Sequence, residues 1–529
     1  MAYFQVTPSG ARTDDSSREA HSSRVSVERA WRFFVAAFAL VVAIAVPFAL
    51  ASTRTGGHFV YPLDDAYIHM AAARRFLASG DRTFLSASSS IIWPWILVIF
   101  RAIGPTDHAP LVVNGAAAIA ALFVTQRALQ SRGARHASLT ALILLLLVPI
   151  VPLVLSGMEH TAHATIVLAL ALATSRAIAY EEKLDARILV LGALSVAFRY
   201  EGVFVIAPLA VLLVHARRVG AAVALGVAGA LPALVRGGFA TLQNEPFFPV
   251  PVLLKRTQLD WLALPAKIYY RLIDNPHVLV ALVLLGFAWR LEAKSRGTNA
   301  AVRERRSLAF VAIATLTLQT TFAQVGWFYR YEAYAMLVAL VTLAISANAH
   351  REVVRTFAIP LALLALPILG RAGAAFRTTI FASQNISDQE TQMASFVHTF
   401  YDQRAVAVND IGAVGYFSNA EIVDLVGLAS PRIARARGMR IDGPLSEKDV
   451  DQITRDAHVE VAIVYDDWFA GSLPPEWKKV GSWKISDNHV CAKDTVTFYA
   501  TSAEREAALR ENLRSFATRL PTTVIRKYD

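Results

Sequence analysis

Long apolar runs separated by short polar segments occupy the first 370 or so positions of the chain. The first run covers Ala30–Ser52 and follows a polar, serine-containing tail. Because a bilayer core about 30 Å thick needs about 20 apolar residues per helix, this run predicts a membrane-spanning helix. Further apolar runs cover Ile91–Ile103, Leu111–Leu129, Ala137–Leu155, Ala162–Ala179, Ile188–Phe198, Val203–Val214, Val219–Val235, Val278–Trp289, Leu308–Val325, Tyr334–Ala347 and Val353–Leu369. The pattern predicts an α-helical polytopic membrane protein with about 10–13 membrane segments.

The pattern changes after Arg371, where polar and apolar residues begin to mix. Short β-rich runs follow at Val406–Val408, Ile422–Val426, Val459–Val464 and Thr495–Tyr499, and a final charged helix is predicted near Ala503–Phe516. This mixture predicts a soluble C-terminal α/β domain attached to the last membrane segment. The chain therefore divides into a tail (residues 1–29), a membrane domain (30–372) with outer loops at 53–90 and 236–276, and the α/β domain (373–529).

The composition supports a membrane protein. Hydrophobic residues make up 55% of the chain, the mean hydropathy is +0.42, and only 18% of residues are charged, against about a quarter in soluble proteins. A single cysteine, Cys491, excludes a disulfide scaffold and a zinc-ribbon protein. The net charge of +11 indicates cytoplasmic loops rather than nucleic-acid binding, because no basic cluster is interleaved with stacking aromatic residues.

The positions of the cations predict the orientation of the chain. Loops rich in arginine and lysine are predicted to be cytoplasmic, and they contain Arg127, Arg132 and Arg135; Arg217 and Arg218; Arg290 to Arg306; and Arg351 and Arg355. The cation-poor loops at Ser156–Glu159, Phe239–Asn275 and Gln324–Tyr329 are then outside. This orientation places the N-terminus in the cytoplasm and the C-terminal domain outside. The first outer loop is an exception, since it contains Arg54, Arg74, Arg75 and Arg82, which we attribute to the acids in the same loop.

One apolar run allows two topologies. Ile91–Ile103 is short and contains the sequence Trp93-Pro94-Trp95. A full span here moves the loop at Arg127–Arg135 outside, against the positive-inside rule, and buries Arg199 within the membrane. We favour a re-entrant or interfacial segment, which makes Arg199–Gly202 an outward apex between two short helices.

Two adjacent acids, Asp64 and Asp65, open a predicted helix in the first outer loop. Acids at a helix start often do no more than cap backbone N–H groups and complement the helix dipole. A carboxylate at the outer membrane face is also suited to act as general base on a sugar hydroxyl. The two interpretations are compatible if Asp65 caps the helix and Asp64 is free to act as the base.

Other ionisable residues fall at the outward ends of apolar runs. A single arginine near a helix end often only extends towards water, but ionisable groups within membrane segments usually face a cavity. Arg and Lys suit a phosphate, and an Asp suits a hydroxyl proton. No glycine-rich phosphate loop is present, so a soluble nucleotide donor is not expected. The residues predicted to converge on one polar outer site are Glu159, His160, Arg199, Glu201, Lys255, Arg330 and Glu332.

Several of these segments resemble GT-C glycosyltransferases, and most closely the bacterial arabinofuranosyltransferase-like and mannosyltransferase-like enzymes. The string Asp64-Asp65-Ala66-Tyr67-Ile68-His69, with Arg74–Gly80 and Ser88–Ser90 after it, is similar to their first outer loop. Further similar segments are Ser156–Glu159, Arg199-Tyr200-Glu201-Gly202, Pro246–Lys255, Asn409–Phe417 and Asp424–Leu428. Tyr200 replaces the proline of that family's motif.

The resemblance implies a polytopic GT-C-like fold, a polyprenyl-phosphate-sugar donor and inversion at the sugar carbon on the outer face of the bacterial inner membrane. It implies Asp64 as the catalytic base, with Asp65 beside it. We expect Arg199, Lys255 and Arg330 to bind the donor phosphate, with Tyr67, His69, Glu159, His160, Glu201 and Glu332 in the same cavity. The expected acceptor is an envelope glycan, lipid or protein.

No cofactor is predicted to be required, although Asp64, Asp65, His69, Glu159 and His160 provide possible ligands for a divalent metal. The C-terminal domain is predicted to bind or position the acceptor, with Asp410 and Asp424 interpreted as turn formers. Two alternatives to a transferase remain. A catalytically silent protein that binds a lipid-linked sugar is one, and a transporter or flippase is the other, although the internal repeats typical of transporters are not seen.

Overall fold

The computed structural model describes residues 13–104, 107–254, 261–295, 299–441 and 443–528. The membrane domain consists of helices joined by short connections, with single 3₁₀ turns at Tyr200–Gly202 and Trp327–Tyr329. Its helices are α1 (Thr13–Arg54), α2 (Asp64–Ser79), α3 (Thr83–Ser86), α4 (Trp93–Ile103), α5 (Ala109–Gln130), α6 (Ala137–Leu147), α7 (Ile150–Leu155), α8 (His160–Ala179), α9 (Ala186–Phe198), α10 (Val203–His215), α11 (Val219–Leu242), α12 (Val250–Leu254), α13 (Leu264–Asp274), α14 (Pro276–Lys294), α15 (Ala300–Phe322), α16 (Ala333–Ala349), α17 (Arg351–Thr356), α18 (Ala358–Leu364) and α19 (Leu366–Ile386).

Five helices of the described ranges are long and apolar enough to cross a membrane: Val27–Arg54 of α1, α5, α8, α11 and α14. A sixth span is possible if α18 and the helix after it, which meet at a bend of 43°, cross together. Shorter apolar helices, among them α4, α6, α9 and α16, account for other apolar runs. The chain is therefore a multi-pass membrane protein in which full-length and short helices alternate.

The structure bears on the ambiguous run at Ile91–Ile103. Helix α4 has 11 residues, and at 1.5 Å per residue it is about 16 Å long, too short to cross a bilayer core of about 30 Å. The backbone N–H groups of Ile91 and Ile92 donate to the carbonyl of Ala197 at the end of α9. Helices α9 and α10 are separated at Arg199, as the re-entrant interpretation predicts.

The arginine-rich loops contact one another at one end of the helix bundle. Arg132 pairs with Glu304 at 2.5 Å, and Arg303 donates to the carbonyl of Ala179 at 2.6 Å. Arg218 donates to the carbonyl of Ala177 at 2.9 Å. Since these contacts join four different connections, the loops predicted to be cytoplasmic share one side of the protein. That this side faces the cytoplasm stays a prediction.

The C-terminal domain contains a six-stranded sheet with strand order β2-β1-β3-β5-β4-β6. Its strands are β1 (Ala405–Val408), β2 (Glu421–Asp424), β3 (Val461–Val464), β4 (Lys478–Ile485), β5 (Thr495–Ala500) and β6 (Val524–Tyr528). Its helices are α20 (Gln392–Phe400), α21 (Gly412–Phe417), α22 (Pro431–Ala436), α23 (Glu447–Asp456) and α24 (Ala503–Phe516). Strand β1 is parallel to β2 and β3, and the other pairs are antiparallel.

The α/β pattern is as predicted, but the sequence did not indicate β4 and β6. Lysines at the exposed positions of β4 and a register shift between Lys479 and Gly481 obscure its alternation of buried and exposed residues. Strand β6 lies at the sheet edge and is mostly exposed.

The two domains share one apolar core. Helix α19 runs through the predicted boundary at residue 373 and continues by a π-helical turn at Ser387–Thr391 into α20. Tyr61, Ala66 and Trp93 of the membrane domain are buried in the same cluster as Phe396 and Trp483 of the C-terminal domain. The C-terminal domain is therefore packed into the end of the helix bundle, and we call that end the domain end.

Candidate functional site

A small polar cavity of about 40 Å³ lies at the domain end of the bundle. It is built where several helices begin or break, so the polar groups of distant segments meet there. Helix α2 contributes Asp65 and His69, and the break between α9 and α10 contributes Arg199. Arg330 comes from the segment before α16, and the C-terminal domain contributes Leu428 after β2. The predicted convergence of Asp65, His69, Arg199 and Arg330 is thus present in the structure.

The strongest contact in the cavity joins Arg330 to Asp65. Arg330 Nη2 donates to Asp65 Oδ2 at 2.5 Å and to the hydroxyl of Tyr331 at 3.2 Å. The guanidinium is almost fully buried. The backbone just before Arg330 is unusual, because Phe328 and Tyr329 both have positive φ angles, 47° and 61°. Such conformations persist when the surrounding packing holds them, and they are frequent at functional sites.

Arg199 is held between two glutamates. Its Nη1 donates to Glu159 Oε1 and its Nη2 to Glu201 Oε1, both at 2.7 Å. His69 Nε2 lies 3.7 Å from the other oxygen of Glu159. Burial lowers the pKa of His69, so its ring is mainly neutral at pH 7, and its Nδ1 lies 3.1 Å from Ser88 Oγ. The predicted proximity of Glu159, Arg199, Glu201 and His69 is therefore observed.

Several buried polar atoms around the cavity have no hydrogen-bond partner in the part of the chain that the structure describes. They include Nε and Nη1 of Arg330, Nε of Arg199, Oε2 of Glu159 and both ring nitrogens of His160. Buried polar groups are paired in the great majority of cases. Because three of these atoms are guanidinium nitrogens, which only donate, the group indicates a polar or anionic ligand.

The two adjacent aspartates contact different elements, which differs from the expected division of roles. Asp64 Oδ2 and Oδ1 accept the backbone N–H groups of Gly412 and Ala413, each at 2.7 Å. The N-cap position of α2 is Leu63, which makes no side-chain cap. Successive helical residues point about 100° apart, so Asp64 reaches α21 while Asp65 lines the cavity. The expectation that Asp65 caps the helix and leaves Asp64 free is wrong.

The pKa of Asp64 is raised to about 8, first by burial and then by the nearby carboxyl of Asp410. The pKa of Asp410 is raised to about 6, again mainly by burial. Asp410 accepts the side-chain N–H of Asn409 at 3.0 Å. Neither Asp64 nor Asp410 lines the cavity.

Two other predicted residues, Tyr67 and Glu332, do not line the cavity. The hydroxyl oxygen of Tyr67 accepts the backbone N–H of Tyr61, and its ring packs against Phe417, so it belongs to the contact with the C-terminal domain. Glu332 pairs with Arg371 and lies 3.1 Å from Nε2 of His277. Residues two apart on a helical path face different sides, which separates Glu332 from Arg330. Lys255 lies outside the described residues.

Tyr331 and Arg371 are the residues of this region that sequence reasoning missed. Both the Arg199 and the Arg330 guanidinium lie over the ring of Tyr331, at 5.6 and 5.0 Å. The sequence signal that could have identified Tyr331 is its position between Arg330 and Glu332, two predicted site residues. Arg371 was interpreted only as the end of the membrane domain.

An apolar groove of about 620 Å³ runs beside the polar cavity. Its walls are Pro94 and Trp95 of α4 and Leu231, Val235 and Phe239 of α11, and Ser88 and Ser90 line the end nearest the cavity. Ser88 contacts His69, a residue of the cavity lining. Within the described ranges, no three or more His, Cys, Asp or Glu side chains are grouped so that they could hold a metal ion.

The chain was compared with known proteins. Residues 384–499 match the model of a domain of unknown function, DUF8728. No curated protein matches the chain. Similar solved structures include ArnT from Cupriavidus metallidurans bound to undecaprenyl phosphate, with a TM-score of 0.53 and 14% identity over 88% of this chain and 98% of that chain. Apo ArnT from the same organism gives a TM-score of 0.51 and 13% identity, over 88% of this chain and 97% of that chain.

The similarity covers the membrane bundle and extends into the C-terminal domain, since it includes most of both chains. The predicted fold class, a helical multi-pass membrane protein with a C-terminal α/β region, is confirmed. The chain shares its fold with ArnT, a GT-C polytopic membrane glycosyltransferase.

Proposed function

We propose that the protein is an inverting glycosyltransferase that moves a sugar from a polyprenyl-phosphate donor to an envelope glycan, lipid or protein. The reaction takes place on the outer face of the bacterial inner membrane, with the cation-rich loops in the cytoplasm. One observation carries the proposal. In a cavity beside an apolar groove, the buried guanidinium of Arg330 donates through Nη2 to the carboxylate of Asp65, while its Nε and Nη1 have no partner among the described residues.

Arg330 is the best candidate for binding the donor phosphate. Two of its nitrogens have no partner among the described residues, whereas Arg199 already donates to two glutamates and has only Nε unpaired. Lys255 stays a predicted third cation. The leaving phosphate is a stable anion and needs no proton, so preorganised N–H donors are what its departure requires.

Asp65 is the carboxylate that we assign as general base, in place of Asp64. It lines the cavity, and its contact with the Arg330 guanidinium favours the ionised form that can accept a hydroxyl proton. A donor phosphate bound to Arg330 competes for the same guanidinium. Donor binding therefore weakens the Asp65–Arg330 contact and increases the basicity of Asp65 while the acceptor hydroxyl is present.

The apolar groove is the proposed position of the polyprenyl chain. It is lined mainly by apolar side chains, lies next to the cavity and is large enough for several isoprene units. ArnT, which has this fold, is known with undecaprenyl phosphate bound. That neighbour supports a polyprenyl-phosphate donor for this chain.

The proposal is tested by incubating purified protein with a panel of polyprenyl-phosphate sugars and candidate acceptors, and by identifying products by mass spectrometry. Wild-type protein should form a glycosylated product. Asp65→Asn should lower kcat by about 10²–10⁴-fold, the usual contribution of general-base catalysis, with little change in donor affinity. Donor binding without product, for every sugar and acceptor, would instead support a silent lipid-linked-sugar-binding protein.

A further inference from the structure

We infer that the C-terminal domain completes the candidate site by holding α2 in place, and that Asp64 is a positioning residue in this contact. The inference rests on the proposed function for its kinetic readout, but the contact itself is tested independently. It is made by α21, a helix of six residues that lies against α2 in the core shared by both domains.

The N-terminus of α21 is bound by Asp64. The two carboxyl oxygens of Asp64 accept the N–H groups of Gly412 and Ala413, at 2.7 Å each. N–H groups in the first turn of a helix have no partner within the helix, so a side chain from another element must supply one. Asp64 therefore gives α21 the cap that its own sequence lacks, since its N-cap residue Ile411 makes no side-chain hydrogen bond to the helix.

The other end of α21 is held by two arginines of the same helix α2. Arg75 donates through Nε to the carbonyl of Gly415 at 3.2 Å and through Nη2 to that of Ala420 at 2.9 Å. Arg74 donates to the carbonyl of Ser418 and, at 3.3 Å, to that of Gly415. Carbonyls at a helix C-terminus attract cations. Helix α2 thus contacts both ends of α21. Asp64 binds N–H groups at the N-terminus of α21, and Arg74 and Arg75 bind carbonyls near its C-terminus.

Two glycines allow α21 to pack this closely, Gly412 against the backbone of α2 and Gly415 against Phe84 of α3. A Cβ atom on Gly412 would lie 2.1 Å from the backbone oxygen of Asp64, and one on Gly415 would lie 2.4 Å from the ring of Phe84. Neither distance is possible without displacement. The contact therefore depends on α21 and α2 lying backbone to backbone at this point.

The consequence for the site follows from the sequence order Asp64-Asp65. Fixing Asp64 on α21 sets the rotation of α2 about its axis, and that rotation determines where Asp65 points. The C-terminal domain also supplies Leu428 to the cavity lining. The domain is therefore required for the geometry of the proposed base as well as for any contact with an acceptor.

The contact is tested by hydrogen–deuterium exchange of residues 64–79 and 412–417 in the full-length protein. Asp64→Ala, Gly412→Ala and the double variant Arg74→Gln/Arg75→Gln should each increase exchange in both helices. Two variants serve as controls and should leave this exchange unchanged. Gly373→Ala adds a Cβ where nothing lies within 4 Å, and Arg510→Gln removes a partly exposed pair on α24.

Kinetic measurements distinguish a positioning role of Asp64 from a catalytic one. Asp64→Ala and Arg74→Gln/Arg75→Gln should lower kcat by about 10–100-fold at nearly unchanged donor KM, the loss expected when a catalytic group shifts by about 1 Å. Asp64→Asn keeps one carbonyl oxygen as an acceptor, so it should retain clearly more activity than Asp64→Ala. A base at Asp64 predicts instead that both variants are equally inactive and that the arginine variant is normal.

Two results would overturn the inference. One is unchanged exchange in both helices for all three contact variants. The other is loss of activity in Asp64→Asn as complete as in Asp65→Asn, with exchange unchanged, which would make Asp64 a chemical participant. If the wild-type protein transfers no sugar, the proposed function fails, while increased exchange in the contact variants still supports the structural role of Asp64.

Discussion

Arg330 and Asp65, 265 positions apart in the sequence, are joined by a hydrogen bond of 2.5 Å at the centre of the candidate site. The contact connects the first outer loop to the segment before α16. Both groups are ones that the proposed reaction needs, a cation for the departing phosphate and a carboxylate for the acceptor proton. Each of the two groups holds the other in position.

Replacement of Arg330 should affect donor binding and turnover together. Arg330→Gln removes the guanidinium whose unpaired N–H groups face the cavity, so we expect weaker binding of a polyprenyl phosphate by about tenfold or more. Isothermal titration with the lipid phosphate and with the corresponding lipid alcohol measures this effect. The alcohol should bind wild type and variant alike. Equal affinity of both proteins for the lipid phosphate would place the phosphate elsewhere.

Replacement of Arg199 should mainly reduce stability. Arg199→Ala leaves Glu159, which has no exposed surface, without its guanidinium partner. Removing one member of a buried ion pair costs about 3–5 kcal/mol. Arg176→Ala is the matched control, because its pair with Glu182 is about half exposed and contributes at most about 1 kcal/mol. Thermal unfolding in detergent should show a large loss for Arg199→Ala and little for Arg176→Ala.

The folded protein should lose stability as the pH rises. Burial raises the pKa of Asp64 to about 8 and that of Asp410 to about 6, well above their unfolded values. Between the unfolded and the folded pKa values the folded protein binds more protons than the unfolded chain, so these two carboxyls make stability fall as the pH rises from about 4 to about 8. The titratable groups that act on these two carboxyls are Asp65, Tyr67, Glu390, Asp424, Tyr465 and Cys491.

Asp410→Asn tests this pH dependence. The substitution removes the neighbouring carboxyl that raises the pKa of Asp64, so the loss of stability between pH 6 and 8 should be smaller than in wild type. Unfolding midpoints measured from pH 5.5 to 9 provide the comparison. A wild-type midpoint that rises over this interval would contradict the shifted pKa values.

A bulky substitution in the apolar groove should impair donors with long polyprenyl chains more than donors with short ones. Val235→Trp places a large side chain in the groove wall, so KM should rise severalfold for a long polyprenyl-phosphate sugar and change little for a donor with one or two isoprene units. Val227→Trp is the control, because Val227 lies on the same helix and is exposed, but does not line the groove. Equal effects on both donors would argue against a lipid in this groove.

The predicted orientation is tested by labelling single cysteines in intact cells. Arg217 lies in an arginine-containing loop between α10 and α11, and Gln243 follows α11 at the domain end; both are exposed. An impermeant maleimide should label Gln243→Cys in intact cells and Arg217→Cys only after lysis. The native Cys491 is buried and should react slowly. Labelling of Arg217→Cys in intact cells would reverse the orientation and place the cavity in the cytoplasm.

The sequence by itself determined the helical membrane architecture and the α/β character of the C-terminal domain. Apolar length and strand-like runs are local properties, and in a bilayer apolar length translates directly into helices because backbone groups must be paired within the segment. The positions of Arg199, Arg330 and Glu159 at helix ends also indicated that they would share one polar site. Which residues end an apolar run is a property of the local sequence.

Tertiary structure alone decided how individual side chains are used. Nothing local distinguishes Asp64 from Asp65, yet one contacts the backbone of α21 and the other Arg330. Arg74 and Arg75 lie in the segment predicted to be outside, against the usual charge distribution, and they bind carbonyls more than 300 positions away. A helix turns about 100° per residue, so adjacent side chains face different partners, and only the packed neighbours determine which of them reaches the cavity.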